Sequence, residues 1–323
     1  MGAAMLSRKL AVCVIAASAS TFCPGPGYTQ PYPHKLIRIV TTDTGSNLDI
    51  VTRVVAQSLT PSLGQPVIVQ NRAGVLAIDT VIKAGQDGYT LLVLGTAVWI
   101  IPLMQKVTFD PMRDLTPVTL VANAPLFLFT HPSVPAKTVR ELIAVAKASP
   151  GTLNYGMAGA GASNHLAAEL FKSMAGIDLL RIAYKGSGQA MAALMANQVQ
   201  IVFSSAPTGI PHVATGRLRV LAVGSTKPSV LAPDVPTMAA SGVPGFEAGS
   251  TIGMWAPAHT PKPVIDRLAN EMQRVLNAAD VKEKFLSNAT EAVGGTPAEA
   301  AAYIKNDSAK WRKLVKEADL RID

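Results

Sequence analysis

The sequence predicts an α/β fold of two lobes with a ligand cleft between them. Strand and helix patterns alternate from residue 36 onward, the alternation falls into two units of similar size, and 323 residues suffice to bury two lobes. We therefore expect residues 31–124 and 224–323 to form a discontinuous first lobe and residues 125–223 to form the second.

The first unit opens with a buried strand at residues 36–40, a turn and an amphipathic helix. Ser46 with Asp49 three residues later fits a capping box, which makes Asp49 a helix cap rather than a ligand contact. The apolar face of this helix comprises Leu48, Val51, Val55 and Leu59. Gly64-Gln65-Pro66 ends the helix, and strands are expected at residues 67–69 and 90–94. This strand–helix–strand order implies parallel strands with right-handed crossovers.

The second unit repeats the alternation. Its expected strands are residues 126–130, 153–155, 180–183, 201–203 and 218–223, and its expected helices are residues 138–148, 166–174 and 190–197. A last strand at residues 252–256 is followed by two or three helices, at residues 263–278, 281–287 and 297–317. We expect these terminal helices to pack back on the first lobe.

The first 30 residues are expected to be a signal peptide and leader. Arg8 and Lys9 precede an apolar stretch at residues 10–19, which ends in the small residues Ala17-Ser18-Ala19 typical of a cleavage site. The apolar stretch is shorter than the roughly 20 residues that a membrane span needs. The sequence therefore predicts an exported protein.

Composition and motifs argue against several classes of function. The net charge of +8 is spread along the chain, and no zinc-finger, helix-turn-helix or RNA-recognition pattern occurs, so no nucleic-acid partner is expected. Both cysteines, Cys13 and Cys23, lie in the leader. The five histidines lack metal-ligand spacing and no Gly-x-Ser-x-Gly elbow occurs, so we expect no catalytic residue, metal or cofactor. A hydroxyl–histidine pair from Thr41, Ser163 and His165 is left open.

Three strand-to-helix turns are expected to point into the cleft, at residues 41–47, 96–98 and 156–164. In the third, alternating Gly and Ala leave backbone N–H groups bare just before a helix N-terminus, which suits an anion. The turn lacks the glycine spacing of a dinucleotide site and the Lys-Ser/Thr of a P-loop, so a carboxylate is favoured over a nucleotide. The alternative is that this turn is only a tight connection.

Five stretches carry a family resemblance: Gly64-Gln65-Pro66-Val67 with Asn71-Arg72, Asp87-Gly88-Tyr89-Thr90-Leu91, Asn154-Tyr155-Gly156 with residues 165–171, Tyr184-Lys185-Gly186-Ser187, and residues 231–237. Together they make the chain, from about residue 32 to its C-terminus, similar to the exported substrate-binding receptors of tripartite tricarboxylate transporters, often called Bug-type receptors. The resemblance implies a type II periplasmic binding protein fold that closes over a small carboxylate. In such receptors the carboxylate is held by backbone N–H groups, hydroxyls and water.

The resemblance also implies where the protein acts and with what. We expect a periplasmic monomer that captures a carboxylate-bearing solute and delivers it to the permease subunits of the transporter. A ligand-sensing co-receptor for a membrane signalling kinase uses the same closed form, so transport and sensing stay open. A periplasmic enzyme is the least favoured alternative.

The residues expected to contact the ligand are Thr41, Thr42, Asp43, Thr44, Gly45, Gly74, Val75, Thr96, Met157, Ala158, Gly159, Ala160, Ser163, Tyr184 and Ser204. Several depart from the family pattern. Met157 replaces a usual Ser, Ser204 replaces an acid, and the turn at residues 73–78 is short and apolar. These changes favour a less charged or partly aromatic carboxylate. Asp43 is open to three readings: repulsion of a second carboxylate, binding of an ammonium group, or exposure on a turn.

Overall fold

The computed structural model describes residues 31–42, 44–72, 74–158, 162–317 and 320. The expected leader, residues 1–30, lies outside them. The described residues from Tyr32 onward belong to one compact unit. Among the described residues, no helix combines the length and apolar character required to cross a bilayer.

The described residues form strands and helices that alternate along the chain. The strands are β1 (Ile37–Thr41), β2 (Val67–Asn71), β3 (Thr90–Leu94), β4 (Leu115–Pro125), β5 (Phe127–Thr130), β6 (Asn154–Met157), β7 (Leu180–Ala183), β8 (Ile201–Ser204), β9 (Arg219–Val223), β10 (Gly249–Pro257) and β11 (Glu291–Gly294). The helices are α1 (Asn47–Leu63), α2 (Val75–Ile82), α3 (Ala97–Met104), α4 (Pro111–Asp114), α5 (Val139–Ala148), α6 (Ser163–Ala175), α7 (Ser187–Met195), α8 (Ala206–Ala214), α9 (Lys262–Asn277), α10 (Ala279–Ser287) and α11 (Pro297–Glu317).

The strands assemble into two mixed sheets. The first sheet has the order β11-β4-β10-β3-β1-β2, with β1 parallel to β2 and β3, and β10 antiparallel to β3 and β4. The second sheet has the order β7-β6-β8-β5-β9, with β6 parallel to β7 and β8, and β5 antiparallel to β8 and β9. We call each sheet with its packed helices a lobe. The exact lobe boundaries at residues 124/125 and 223/224 stay predictions.

The amphipathic helix α1 forms as its sequence indicates. The Ser46 hydroxyl accepts a hydrogen bond from the Asp49 backbone N–H at 3.1 Å, so the cap is confirmed. Its apolar face joins a core of first-sheet strands and α9 in which Val51, Val55 and Leu59 are fully buried. The helix ends at Gly64, whose left-handed φ of 67° suits a residue without a side chain.

The chain passes between the lobes at segments that are hydrogen-bonded to one another. Pro125, at the end of β4, pairs with Gly249, at the start of β10. The Gly224 N–H donates to the Leu126 carbonyl at 2.7 Å, and the Ala248 N–H donates to the Gly224 carbonyl at 2.9 Å. A Cβ at Gly224 would overlap the Ala248 carbonyl oxygen, so this close approach requires glycine.

Helix α11 runs over the first lobe and fastens α3 to it. The Asp307 carboxylate, 6% exposed, accepts hydrogen bonds from the indole N–H groups of Trp99 and Trp311, each at 2.8 Å. Lys310 forms an ion pair with the same carboxylate at 2.6 Å and donates to the Glu247 carbonyl at 2.9 Å. A single buried acid therefore holds α3, α11 and the segment that leads into β10 in fixed relation.

Some elements were not expected from the sequence, namely α2, α3, α4, β4, α8 and β11. The expectation of a turn at residues 73–78 was wrong, because α2 begins at Val75 and buries Ala77 and Ile78. In α3 nearly every residue is apolar, and the helix contains Pro102. The eight residues of α3 therefore show no apolar–polar period from which a helix can be inferred.

Candidate ligand-binding cleft

A cavity of about 470 Å³ lies where the strand ends of the first sheet face the N-terminus of α6 in the second lobe. It is lined by Thr42, Leu48, Leu94, Gly95, Thr96, Ala97, Ile100, Ile101, Met104, Gln105, Ser163, Leu166 and Ser250. Both lobes therefore contribute to it, and its size is typical of small-molecule sites.

The first wall follows β1 and is held by the buried carboxylate of Asp49. This carboxylate accepts hydrogen bonds from the Gly45 N–H at 2.9 Å, Arg53 Nε at 3.0 Å and Asn71 Nδ2 at 2.8 Å. Asn71 Nδ2 also donates to the Thr42 carbonyl at 2.6 Å. Burial by itself raises the pKa of Asp49, but the hydrogen bonds from Arg53, Asn71 and Gly45 outweigh it and lower that pKa below its ordinary 3.8. Asp49 thus fixes the turn that carries Thr42.

The second wall is α3, which begins directly after β3. Gly95 lies against β10, since a Cβ there would be 3.0 Å from the Ser250 hydroxyl oxygen. The helix turns Ile100, Ile101 and Met104 to the cavity. On the same helix, Trp99 is anchored to Asp307 as described above. The wall is therefore apolar and rigidly attached.

The third wall is the start of α6, a helix of 13 residues whose N-cap position, Ala162, provides no side-chain cap. Its first N–H groups form the positive end of the helix dipole. Ser163 is exposed and lines the cavity. Asn164 is 3% exposed; its Oδ1 accepts from the Ala158 N–H at 3.2 Å, and its Nδ2 has no hydrogen-bond partner among the described residues. The positive end of the helix dipole beside Ser163, with the unpartnered Asn164 amide behind it, suits an anion.

Behind α6, a buried polar cluster supports the helix from the side of the second sheet. The Tyr155 hydroxyl donates to Glu169, and Lys172 pairs with Glu169 at 3.3 Å. Burial and the hydrogen bond to Glu169 raise the pKa of Tyr155 well above its ordinary value. Nε2 of His165 lies 3.4 Å from Nη1 of Arg181, and burial lowers the pKa of His165. The cluster fixes the helix through paired charges in its interior.

Of the residues expected from the sequence, Thr42, Thr96 and Ser163 line the cavity. The turn residues Thr44 and Gly45 are exposed, and Gly74 and Val75 form the start of α2, where Val75 packs on the core. Asp43, Gly159 and Ala160 lie outside the described residues.

Other expected residues do not line the cavity. Thr41 is fully buried, and its hydroxyl accepts a hydrogen bond from the Thr52 hydroxyl at 3.2 Å. Met157 and Ser204 are buried at 4% and 3% exposure. The Ala158 N–H is used by Asn164, and the Tyr184 N–H donates to the Met157 carbonyl at 2.8 Å. A direct ligand contact by any of these stays a prediction.

The sequence reasoning missed most of the α3 wall and Ser250. The available signal for α3 was the run of apolar residues that follows Thr96. Since Thr96 was already expected in a turn at the cleft, this run could have been placed at the cleft as well. Ser250 has no local signal, since β10 reaches its place beside Gly95 by pairing with β3 on one side and β4 on the other.

A larger depression of about 820 Å³ lies on the first lobe, between α9 and the start of α11, with Lys262, Asp266 and Glu299 in its lining. It contains none of the expected ligand residues and lies away from the strand-end turns, where α/β folds bind ligands. Among the described residues, no group of three or more metal-ligating acids, histidines or cysteines occurs. The 470 Å³ cavity is therefore the candidate site.

Comparisons with known proteins give a consistent result. Residues 51–320 match the family model described as tripartite tricarboxylate transporter family receptor. Protein BugT of Bordetella pertussis is 34% identical over 325 residues, which cover 98% of this chain and 99% of that protein. The structure of R. palustris Rpa4515 with adipate is 29% identical, with a TM-score of 0.70, and covers 89% of this chain and 98% of that chain. MatC from Rhodopseudomonas palustris with bound malate is 26% identical, with a TM-score of 0.67 and coverage of 88% and 100%. The expected two-lobed periplasmic binding protein fold is confirmed.

Proposed function

This chain belongs to the family of tripartite tricarboxylate transporter receptors, and on that premise we propose that it captures a small carboxylate in the 470 Å³ cavity between its lobes. The observation that carries the proposal is the start of α6. There, Ser163 lines the cavity, the buried side-chain amide of its neighbour Asn164 has no hydrogen-bond partner for Nδ2 among the described residues, and the helix begins with the positive end of its dipole.

The related proteins support a carboxylate as the ligand class. One structural neighbour holds adipate and another holds malate. Hydroxyls at Thr42, Thr96 and Ser250 provide further donors around the cavity in this chain. Because each is neutral, they can bind a carboxylate without the desolvation cost of a buried charged partner.

We propose further that the loaded receptor acts in the periplasm, as a monomer, and passes its solute to membrane permease subunits. Its leader would be removed on export, as residues 1–30 have the composition of a signal peptide. We assign it no catalytic role, because the described side chains around the cavity are hydroxyls, an amide, a thioether and aliphatic groups, with no paired acid and base among them.

The test is ligand-induced stabilisation of the exported chain after bound solute has been removed by unfolding and refolding. A ligand at one hundred times its Kd adds about 2.7 kcal/mol to the free energy of unfolding, which corresponds to a Tm rise of roughly 5–10 °C. The panel should include linear and aromatic mono-, di- and tricarboxylates. No rise in Tm with any of them would exclude the proposal.

A charge substitution tests whether the carboxylate binds at the start of α6. Asn164→Asp keeps the oxygen that accepts from Ala158 but places a negative charge where the carboxylate would bind, so we expect at least a tenfold loss of affinity. Asn270→Asp, an exposed position on α9, is the matched control and should bind as the wild type does. Equal affinity in all three proteins would mean that the carboxylate does not bind at the start of α6.

A further inference from the structure

We propose that helix α3 selects the ligand by its length, and that Gln105 binds the end of the ligand farthest from the strand ends of the first sheet. The proposal rests on the proposed function, because it concerns the same cavity and takes a carboxylate as the ligand class. It follows from how the lining residues are spaced along α3 and from which of them are polar.

The cavity follows α3 along its whole length. Its lining includes two rows of residues four positions apart, one with Thr96, Ile100 and Met104 and the other with Ala97, Ile101 and Gln105. Residues four positions apart lie on the same face of a helix, so the cavity runs beside α3 from the residue before its start to the residue after its end. The nine residue steps from Thr96 to Gln105, at roughly 1.5 Å each, make that path about 13 Å long. A four-carbon ligand can therefore occupy only part of it.

Hydroxyl groups are gathered at the end of the cavity where α3 begins. Thr96 directly precedes the helix. A Cβ on the adjacent Gly95 would be 3.0 Å from the Ser250 hydroxyl oxygen, so Ser250 lies at the same end. Thr42 directly follows β1, which lies beside β3 and parallel to it, so both strands end at this edge of the sheet. Three neutral hydroxyls are thus available there to donate to one carboxylate.

Gln105 is the polar lining residue at the other end of α3. It directly follows the helix, is half-buried, and also borders the separate surface cavity of about 370 Å³, so the ligand cavity ends there in this direction. Its side-chain amide provides N–H donors for a second carboxylate. Two cations and one acid border the neighbouring cavity, namely Lys106, Arg312 and Asp110, so the charge beyond Gln105 is net positive.

Between these two polar ends the lining is apolar. Ile100, Ile101 and Met104 come from α3, Leu48 comes from α1, and Leu166 lies one turn into α6. Methylene groups of a ligand remove this surface from water, so each added methylene strengthens binding until the chain reaches from the hydroxyls to Gln105. The ligand that fits all three parts is an unbranched chain with a carboxylate at each end and more than four carbon atoms.

A series of diacids tests the selection by length. Succinate, adipate, suberate and sebacate have four, six, eight and ten carbon atoms and the same two carboxylates, and each has a monocarboxylate of equal chain length. In calorimetric titration of the ligand-free wild type, the tightest of the three longer diacids should bind at least tenfold more tightly than succinate. It should also bind at least fivefold more tightly than its own monocarboxylate.

Two results would overturn the proposal and leave the proposed function standing. Succinate binding as tightly as every longer diacid would exclude selection by length. A monocarboxylate binding as tightly as the diacid of equal length would exclude a contact at the second end. If no compound of the series binds and the wider carboxylate panel also fails, the proposed function falls as well.

Substitution of Gln105 tests the contact at the far end. Gln105→Leu keeps the approximate size of the side chain and removes its N–H donors, so the affinity ratio of the tightest diacid to its monocarboxylate should fall at least fivefold. Gln57→Leu is the matched control, because Gln57 is exposed on α1 and does not line the cavity. An unchanged ratio in Gln105→Leu, or an equal change in both variants, would contradict the role of Gln105.

A substitution in the middle of α3 tests the path itself. Ile101 is half-buried and lines the cavity, so Ile101→Phe should obstruct a long chain and lower the affinity ratio of the tightest diacid to succinate at least tenfold. Leu103→Phe is the control, since Leu103 is half-buried on the same helix but lines the separate 370 Å³ cavity. The same ratio in both variants would contradict binding along α3. If Ile101→Phe does not fold, the diacid series and Gln105→Leu decide the proposal.

Discussion

The buried carboxylate of Asp307 allows a quantitative stability test, because it is the acceptor for two indole N–H groups that have lost contact with water. Trp99 and Trp311 are 1% and 3% exposed, so in the folded protein both indole N–H groups depend on this carboxylate rather than on solvent. Hydrogen bonds to charged groups contribute about 1.5–3 kcal/mol each. Two such bonds give roughly 3–6 kcal/mol, and the relief of carboxylate desolvation offsets part of it. We expect Asp307→Ala to lower the free energy of unfolding by about 3–5 kcal/mol.

The assay is thermal unfolding of the ligand-free protein followed by circular dichroism. At about 2–4 °C per kcal/mol, the expected fall in Tm is on the order of 10 °C. Asp307→Asn keeps one acceptor oxygen and should lose less. Asp266→Ala is the control, because its ion pair with Lys262 is exposed and should contribute under about 1 kcal/mol. A fall in Asp307→Ala no larger than in Asp266→Ala would refute the reasoning.

Three further substitutions have defined outcomes. The pKa of Asp49 is lower in the folded protein than its ordinary 3.8. The ionised carboxylate therefore stabilises the fold fully above pH 3.8, and this contribution is lost as the pH falls through the folded pKa. In urea unfolding, Asp49→Asn should show a smaller loss of unfolding free energy at acidic pH than the wild type. Gly209→Ala should lower the urea midpoint, because the added Cβ would overlap the fully buried ring of Phe129. That overlap costs about 1–3 kcal/mol, which exceeds the roughly 1 kcal/mol that alanine gains in helix propensity. A raised midpoint would contradict this. Gly224→Ala should cost about 2 kcal/mol or more, since its Cβ meets a backbone oxygen that cannot rotate away; a wild-type melting curve would disprove it.

The sequence was sufficient for helices that have a clear apolar face and recognisable signals at their ends. Helix α1 shows this: its cap, its apolar face and its glycine stop are local features, and each formed as expected. Helix α9 was placed within one residue at both ends, because buried positions such as Leu268 and Met272 alternate with exposed polar ones.

The candidate site was harder to predict because its lining is set by tertiary pairing. Helix α3 is covered on more than one side, by the core and by the cavity, so its sequence has no polar face to reveal it. Met157 occupies a position expected to face the ligand, but the four-residue strand β6 buries its side chain in the core. Ser250 shows the opposite case, a cavity residue whose place depends on a strand more than 150 residues away from β3 in sequence.

The pairing of Pro125 with Gly249 makes β4 and β10 the two arms of a hairpin whose turn has been replaced by an entire lobe. The ends of the second lobe therefore meet at one point on the rim of the first sheet. Changes in length or sequence within the second lobe need not redirect either arm, because the two arms are paired with each other at that point. The part of the cavity contributed by α6 can therefore vary independently of the α3 wall, which stays with the first sheet.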